Sequence, residues 1–436
     1  MTASIKSISV AAGILGCGCA ATAQPCTQEW SAMGGGLAHA VTSLAVFNDG
    51  SGPALYAGGW FTNSAGSPAN RIAKWDGQAW VPVGSGFNND VYALTVFDDG
   101  NGPALYAGGL FTTAGGGPAN FVAKWDGQVW SPLGAGVGNG SVYAFATFND
   151  GGGPALYAGG FFTTAGPLVA SRVAKWDGQS WSPLGSGVNN QVYALAAYDG
   201  ALYAAGGFSQ AGGAPASNIA KWDGQSWSPL GAGVNQQVYG LAVYDGGGGP
   251  ALHVVGNFTT AGIVAANYIA KWNGALWAPV GSGLNSAPQG VTVFGPDLYV
   301  GGIFSTAGGV SALRMAKWDG TSWSPLGSGI NNTVRSLIGF DDGGGPALYV
   351  GGDFSTAGGV PAVRIARWGC PPAPPCYANC DESTQAPVLN VADFGCFLTR
   401  YAAGEAYANC DESTQPPVLN VADFGCFLTR YAAACP

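Results

Sequence analysis

One segment recurs seven times between residues 26 and 370. It reads Lys-Trp-Asp-Gly-x-x-Trp or a close variant, and its first tryptophan falls at Trp75, Trp125, Trp176, Trp222, Trp272, Trp318 and Trp368. The spacing of 46 to 51 residues is that of propeller blades, which cannot bury their apolar faces alone and must stack on like neighbours. Each unit holds four strand-like runs. A Val-Tyr-Ala-Leu-type run ends at an Asp-Gly-rich turn, an Ala-Leu-Tyr-Ala-Gly-Gly run follows, then Ile-Ala-Lys-Trp, then a short run around the second tryptophan. Asp-Gly closes the hairpin between the last two, because both residues tolerate the positive φ such turns need. Four antiparallel strands per unit, repeated seven times, predict an all-β chain folded as a seven-bladed β-propeller.

The ends of the repeat region complete each other. The last unit stops at Arg367-Trp368-Gly369-Cys370 without a fourth strand, and Gln28-Glu29-Trp30-Ser31 supplies one, Gln28 and Trp30 matching Gln78 and Trp80. The ring is expected to close with the N-terminal strand in the last blade, which removes open sheet edges. In that register Cys26 and Cys370 occupy neighbouring positions of one hairpin, and a disulfide between them is expected. Loop entropy puts its contribution at about 5 kcal/mol. The Gly-Gly doublet followed by (Arg/Asn)-Ile-Ala-Lys-Trp-Asp-Gly-x-x-Trp resembles kelch repeats over residues 26–370. That resemblance implies a fold and leaves function open, since kelch-like propellers include enzymes and binding modules.

Lys6, the apolar run 8–15 and Ala21-Thr22-Ala23 read as a signal peptide over residues 1–23, so a secreted protein is expected. Cys17 follows Ile14-Leu15-Gly16, loosely like a lipobox, and lipidation there is the alternative. Cleavage after Ala23 removes Cys17 and Cys19 and leaves eight cysteines, an even number suited to an oxidising compartment. No other stretch has the length and apolarity of a transmembrane span. A net charge of −9 argues against nucleic acid as a partner.

The repeat region (24–370) offers little for catalysis. The two histidines, His39 and His253, cannot make a conventional zinc or copper centre. His253 stands where other repeats have tyrosine, which predicts a packed strand residue. Most aspartates recur in every turn and read as structural. Asp90 and Asp353 do not recur, and they are the candidates for a paired-carboxylate site. Two sets of loops are expected on one face: Asn88-Asn89, Asn189-Asn190, Asn235-Gln236 and Asn331-Asn332 before the first strand, and Phe111-Thr112-Thr113 and its equivalents after the doublet. The residue after the doublet varies (Trp60, Leu110, Phe161, Asn257, Ile303, Asp353). Such a face suits a sugar, or its groups are simply solvated turns.

Residues 371–376 form a proline-rich spacer. Residues 377–403 then return at 407–433 with one change, Ala386 to Pro416. Asn379, Asp381 and Ser383 alternate like the first ligands of a calcium loop, with the Val388 carbonyl, Asn390 and Asp393 completing it. The second copy gives Asn409, Asp411, Ser413, Val418, Asn420 and Asp423. Phe394, Phe397, Leu398 and Tyr401 follow at helical spacing and form one apolar face. Two calcium ions are expected, at the low affinity of extracellular modules, about 10⁻⁴–10⁻³ M. The alternative is a metal-free helical pair held by disulfides: Cys376 and Cys435 bracket the segment as a clasp, and Cys380, Cys396, Cys410 and Cys426 pair within or across copies.

With its duplication, Asn-Cys-Asp at the loop start and Leu-Asn-Val-Ala-Asp-Phe-x-Cys-Phe at the helix start, the 377–436 segment resembles a cysteine-bearing dockerin of planctomycete type. Its loop is longer and lacks the usual turn glycine. The resemblance implies a small α-helical module and a cohesin-like surface partner, read through Val391, Ala392, Val421 and Ala422. The expected protein is a secreted, non-catalytic propeller that binds a glycan or protein, or acts as a spacer, and is anchored by this module. The alternative is a carbohydrate-active enzyme displayed in the same way.

Overall fold

The computed structural model describes residues 27–64, 66–370 and 398–399. Among them are seven four-stranded antiparallel sheets. In the first, Val41–Asn48, Pro53–Gly59, Ile72–Trp75 and Trp80–Pro82 follow one another from the inside out. Five further sheets repeat that order. The first strands of successive sheets pack side by side, and Val41–Asn48 packs against Val334–Asp341 of the last sheet, so the ring closes as a β-propeller. The second strand of every blade is buried almost throughout because sheets cover both its faces.

Closure uses the strand the sequence supplies at its start. Glu29–Ala32 pairs antiparallel with Ile365–Gly369, setting Trp30 opposite Trp368 and Glu29 opposite Gly369. The rings of Trp30 and Trp368 lie 5.1 Å apart, and Trp368 Nε1 donates to Gln28 Oε1 at 3.2 Å. Cys370 is disulfide-bonded. Cys26 lies outside the described residues, as do the signal peptide, the spacer, the other C-terminal cysteines and every expected calcium or partner residue. Leu398 and Thr399 are helical and exposed.

Tryptophans tie each blade to the one before it. The second tryptophan of each hairpin sits beside the first at 5.1–5.4 Å. Six of the seven donate the indole N–H to a carbonyl of the preceding blade, as Trp181 does to Leu133 at 2.9 Å and Trp30 to Leu326 at 2.9 Å. Trp80 differs: its Nε1 is buried without a hydrogen-bond partner. The Gly-Gly doublet is a matter of close approach. A Cβ on Gly59 would lie 2.1 Å from the Ala40 carbonyl oxygen, and one on Gly58 would lie 2.6 Å from Val91 of the next blade.

At the end where the first strand finishes, aspartate anchors the turn. In the first blade Asp49 Oδ2 accepts from Tyr56 at 2.9 Å and from Lys74 at 2.6 Å, and the same triad recurs at Asp99 and Asp150. Burial alone would raise the Asp49 carboxyl, but hydrogen bonds from Lys74, Ser51 and Tyr56 outweigh it and hold it below the usual carboxylate range. Blade five breaks the triad twice, with Gly246 where Asp49 stands and His253 where Tyr56 stands. His253 is 2% exposed, with its Nδ1 3.2 Å from the Ala251 carbonyl and its ring edge-on to Tyr244.

Candidate functional site at the channel mouth

The register of the first two strands slips by one residue at the same place in every blade, between Val41 and Ser43 in the first and between Val334 and Ser336 in the last. A bulge leaves its extra residue unpaired and re-aims its side chain. The seven bulged residues are Thr42, Tyr92, Tyr143, Tyr193, Tyr239, Gln289 and Arg335, all half-buried. Six of them, with Ser43 of the remaining blade and the two residues that follow each of the six, a small one and then a large apolar one such as Ala93 and Leu94, line a cavity of about 280 Å³ formed by the first strands.

Half of this ring is aromatic. Tyr92, Tyr143, Tyr193 and Tyr239 make a continuous arc across four blades, with centroids 5.3, 5.5 and 5.8 Å apart and planes tilted by 42–55°. Tyr193 and Tyr239 donate their hydroxyl protons to Gln191 and Gln237, each at 3.1 Å. Burial, and then the Asp90 charge beside it, push the Tyr92 hydroxyl up to about 12. Burial raises Tyr193 and Tyr239 as well. These hydroxyls therefore stay protonated across the physiological range.

The other half is where the repeat is broken. Arg335 Nε and Nη2 both reach Asp353 Oδ2, at 2.8 and 2.7 Å, and Nη1 donates to Gln289 Oε1 at 3.2 Å. The same guanidinium lies over the Trp60 ring, 4.6 Å from its centroid, and Trp60 meets His39 at 5.8 Å. Arg71 donates to the Trp60 carbonyl and pairs with Asp90 at 3.5 Å. A chain of contacts thus runs Gln289, Arg335, Trp60, Arg71, Asp90, with Asp353 held at its side.

The backbone that presents Arg71 is strained. Its φ is 66°, and the equivalent residue of every blade is also left-handed without being glycine: Phe121, Arg172, Asn218, Tyr268, Arg314 and Arg364. A single residue of this kind costs about 1–3 kcal/mol. At Arg71, Arg314 and Arg364 the guanidinium bonds the carbonyl of the residue that follows the doublet, which fixes the rim of the mouth.

The sequence-derived candidates fall as follows. Asp90 and Asp353 lie on the mouth, each paired with an arginine. His39 is exposed and its Nδ1 accepts from the Ala40 amide, the capping role that Asn89 fills for Asp90 in the next blade. The two polar loop sets do share a face, but they bond mainly each other. Asn331 donates to Ser355 Oγ at 2.9 Å and accepts from the amides of Ser355 and Thr356, and Asn88, Asn189, Asn235 and Asn285 make the same clamp. These amides are therefore structural. Asn331→Ala is expected to destabilise the protein by about 1–2 kcal/mol and to speed hydrogen exchange at Ser355 and Thr356; unchanged exchange there would refute the clamp. The bulged ring went unread in the sequence, although its signal is visible: the residue after the leading valine of each first strand (proline in the sixth blade) reads Thr, Tyr, Tyr, Tyr, Tyr, Gln, Arg.

No known protein family matches the chain, and neither does any curated protein. Solved structures do. The extracellular domain of BT4673 from B. thetaiotaomicron superposes with a TM-score of 0.50 at 12% identity, covering 78% of this chain and 39% of that one. The chain therefore spans about two fifths of that domain. The WD40 β-propeller domain of Doa1 gives a TM-score of 0.47 at 13% identity, over 84% of this chain and 99% of that one. The designed Ika8 protein gives 0.46 at 16% identity, over 78% and 98%. At 12% identity the likeness to the BT4673 domain is one of fold. No helix among the described residues is long and apolar enough to cross a membrane.

Proposed function

We propose that this chain is a secreted, non-catalytic, kelch-like seven-bladed propeller that binds a ligand at its channel mouth. Its duplicated C-terminal segment is a dockerin-like module that holds it to a cohesin-like surface protein when calcium is bound. One observation supports the binding half above the rest: six residues that break the repeat meet at one mouth. Gln289, Arg335, Asp353, Trp60, His39 and Asp90 come from four different blades, and contacts join them into one arc. Repetition elsewhere serves the ring, so departures gathered at one place mark a site. The anchoring half rests on the duplicated loop ligands, Asn379, Asp381, Ser383, Asn390 and Asp393 with their second copies. A Cys26–Cys370 bond is part of this reading, and it would lock the seam.

Calcium titration of the full chain by calorimetry tests the anchor. Two ions are expected at about 10⁻⁴–10⁻³ M, with uptake abolished by Asp381→Asn together with Asp411→Asn. Retention on a host cell-surface extract should fail in EDTA and in that variant. An absence of calcium uptake would replace the anchor with a disulfide-held helical pair.

The second reading, a carbohydrate-active enzyme, is favoured by one fact: the two non-recurring aspartates, Asp90 and Asp353, belong to the same arc of contacts. Hydrolysis of any polysaccharide in a broad panel, lost in both Asp90→Asn and Asp353→Asn, would establish it in place of the first.

A further inference from the structure

We infer that the channel mouth takes the terminal residue of a neutral saccharide chain, end on. The inference deepens the proposed function and rests on the mouth being the binding site. Three properties of the mouth select the ligand class.

The first is charge. Within the arc each ionic group faces an opposite one, Arg335 with Asp353 and Arg71 with Asp90, at 2.7 and 3.5 Å, and the other rim arginines, Arg172, Arg314 and Arg364, are turned to backbone carbonyls. An anionic ligand entering here meets two carboxylates, and a cationic one meets two guanidinium groups, so a neutral ligand has the least to displace. The second is the set of polar groups offered. Both Arg335 contacts fall on one oxygen of Asp353, which leaves the Oδ1 acceptor beside the remaining guanidinium donors. Vicinal hydroxyls, each both donor and acceptor, match such a pair. Tyr193 and Tyr239 have given their protons to glutamines, so their oxygens accept while the glutamine amides still donate. The tyrosines tilt onto one another at 5.3–5.8 Å, so neighbouring rings cover part of each face. The ring edges and hydroxyls this packing leaves suit sugar hydroxyls better than a cation, which needs an open π face.

The third property is access. The first strands of all seven blades surround the cavity, so a ligand enters only along the axis. At about 280 Å³ the cavity falls just below the range for drug-sized ligands. It accommodates a ring at the end of a chain, and the surrounding first strands give a chain that runs on in both directions no lateral exit.

Saturation-transfer NMR on the full oxidised chain tests this, with linear and cyclic gluco-oligosaccharides, galactose, mannose, galacturonate and choline as the probes. At least one neutral sugar is expected to receive saturation. Arg335→Met and Tyr193→Ala should each weaken its binding at least ten-fold, with unfolding midpoints measured alongside to show that the variants fold. Tyr193→Phe should weaken binding less than Tyr193→Ala, because it keeps the ring. If galacturonate or choline binds in place of the neutral sugars, and Arg335→Met abolishes it, the saccharide class is overturned while the mouth stands. If a neutral sugar binds both mouth variants as well as the parent, the mouth itself is overturned. A cyclic oligosaccharide, which has no end, binding as tightly as its linear counterpart overturns end-on entry.

Discussion

Trp30→Ala is expected to lower the unfolding free energy by about 3–5 kcal/mol, the range for a buried tryptophan. Trp30 is 6% exposed, stacks against Trp368, and donates its indole N–H to the Leu326 carbonyl. It is also the core residue of the one strand that closes the ring, so its loss loosens the seam as well as one blade. Trp80→Ala provides the internal comparison. Trp80 occupies the matching place and is equally buried, but its Nε1 has no partner. Its replacement should cost less by about 1 kcal/mol, the net worth of one hydrogen bond. Urea unfolding of the full, oxidised chain measures both. Equal losses would show that the indole–carbonyl staple contributes nothing between blades.

Acidification from pH 6.5 to about 4 is expected to remove up to about 3 kcal/mol of stability through His253 alone. Burial lowers its pKa from the ordinary 6.5 to about 4, Lys271 adds to the shift, and the bond to the Ala251 carbonyl opposes it. The sign follows from where the proton goes. Above pH 6.5 the imidazole is neutral in both states. Between 6.5 and about 4 the unfolded chain binds a proton that the folded chain refuses, so unfolding free energy falls with pH, by at most about 1.4 kcal/mol per unit. The aspartates held below their ordinary values, among them Asp49, Asp99 and Asp150, act in a separate window, losing their contribution as pH falls from the usual carboxylate range downward. His253→Tyr restores the residue found in the other six blades and should flatten the slope between pH 4 and 6.5. A slope that persists in His253→Tyr would assign the effect to other groups.

Much of the frame was legible in the chain itself because it is written several times over. The tryptophan period marks out the sheets, and the missing fourth strand of the last unit points to residues 28–31, where the structure has the strand Glu29–Ala32 paired with Ile365–Gly369. His253 was readable as packed because tyrosine holds its place elsewhere. The Asn-Asn loops were harder, since their amides look like surface groups in sequence. Only the fold shows Asn331 reaching Ser355, 24 residues on.

Local sequence determined which residues form strands and turns, because strand alternation and Asp-Gly turns are properties of neighbours along the chain. It also determined that the ring is joined through its own ends. Tertiary structure alone decided the mouth. A one-residue bulge shifts each first strand out of simple alternation, so Tyr92, Gln289 and Arg335 leave the expected faces and line a shared cavity. Arg335 and Trp60 stand 275 positions apart in the sequence, yet their side chains are in contact. No local pattern encodes that meeting, because it depends on the curvature of the whole ring bringing the last blade back to the first.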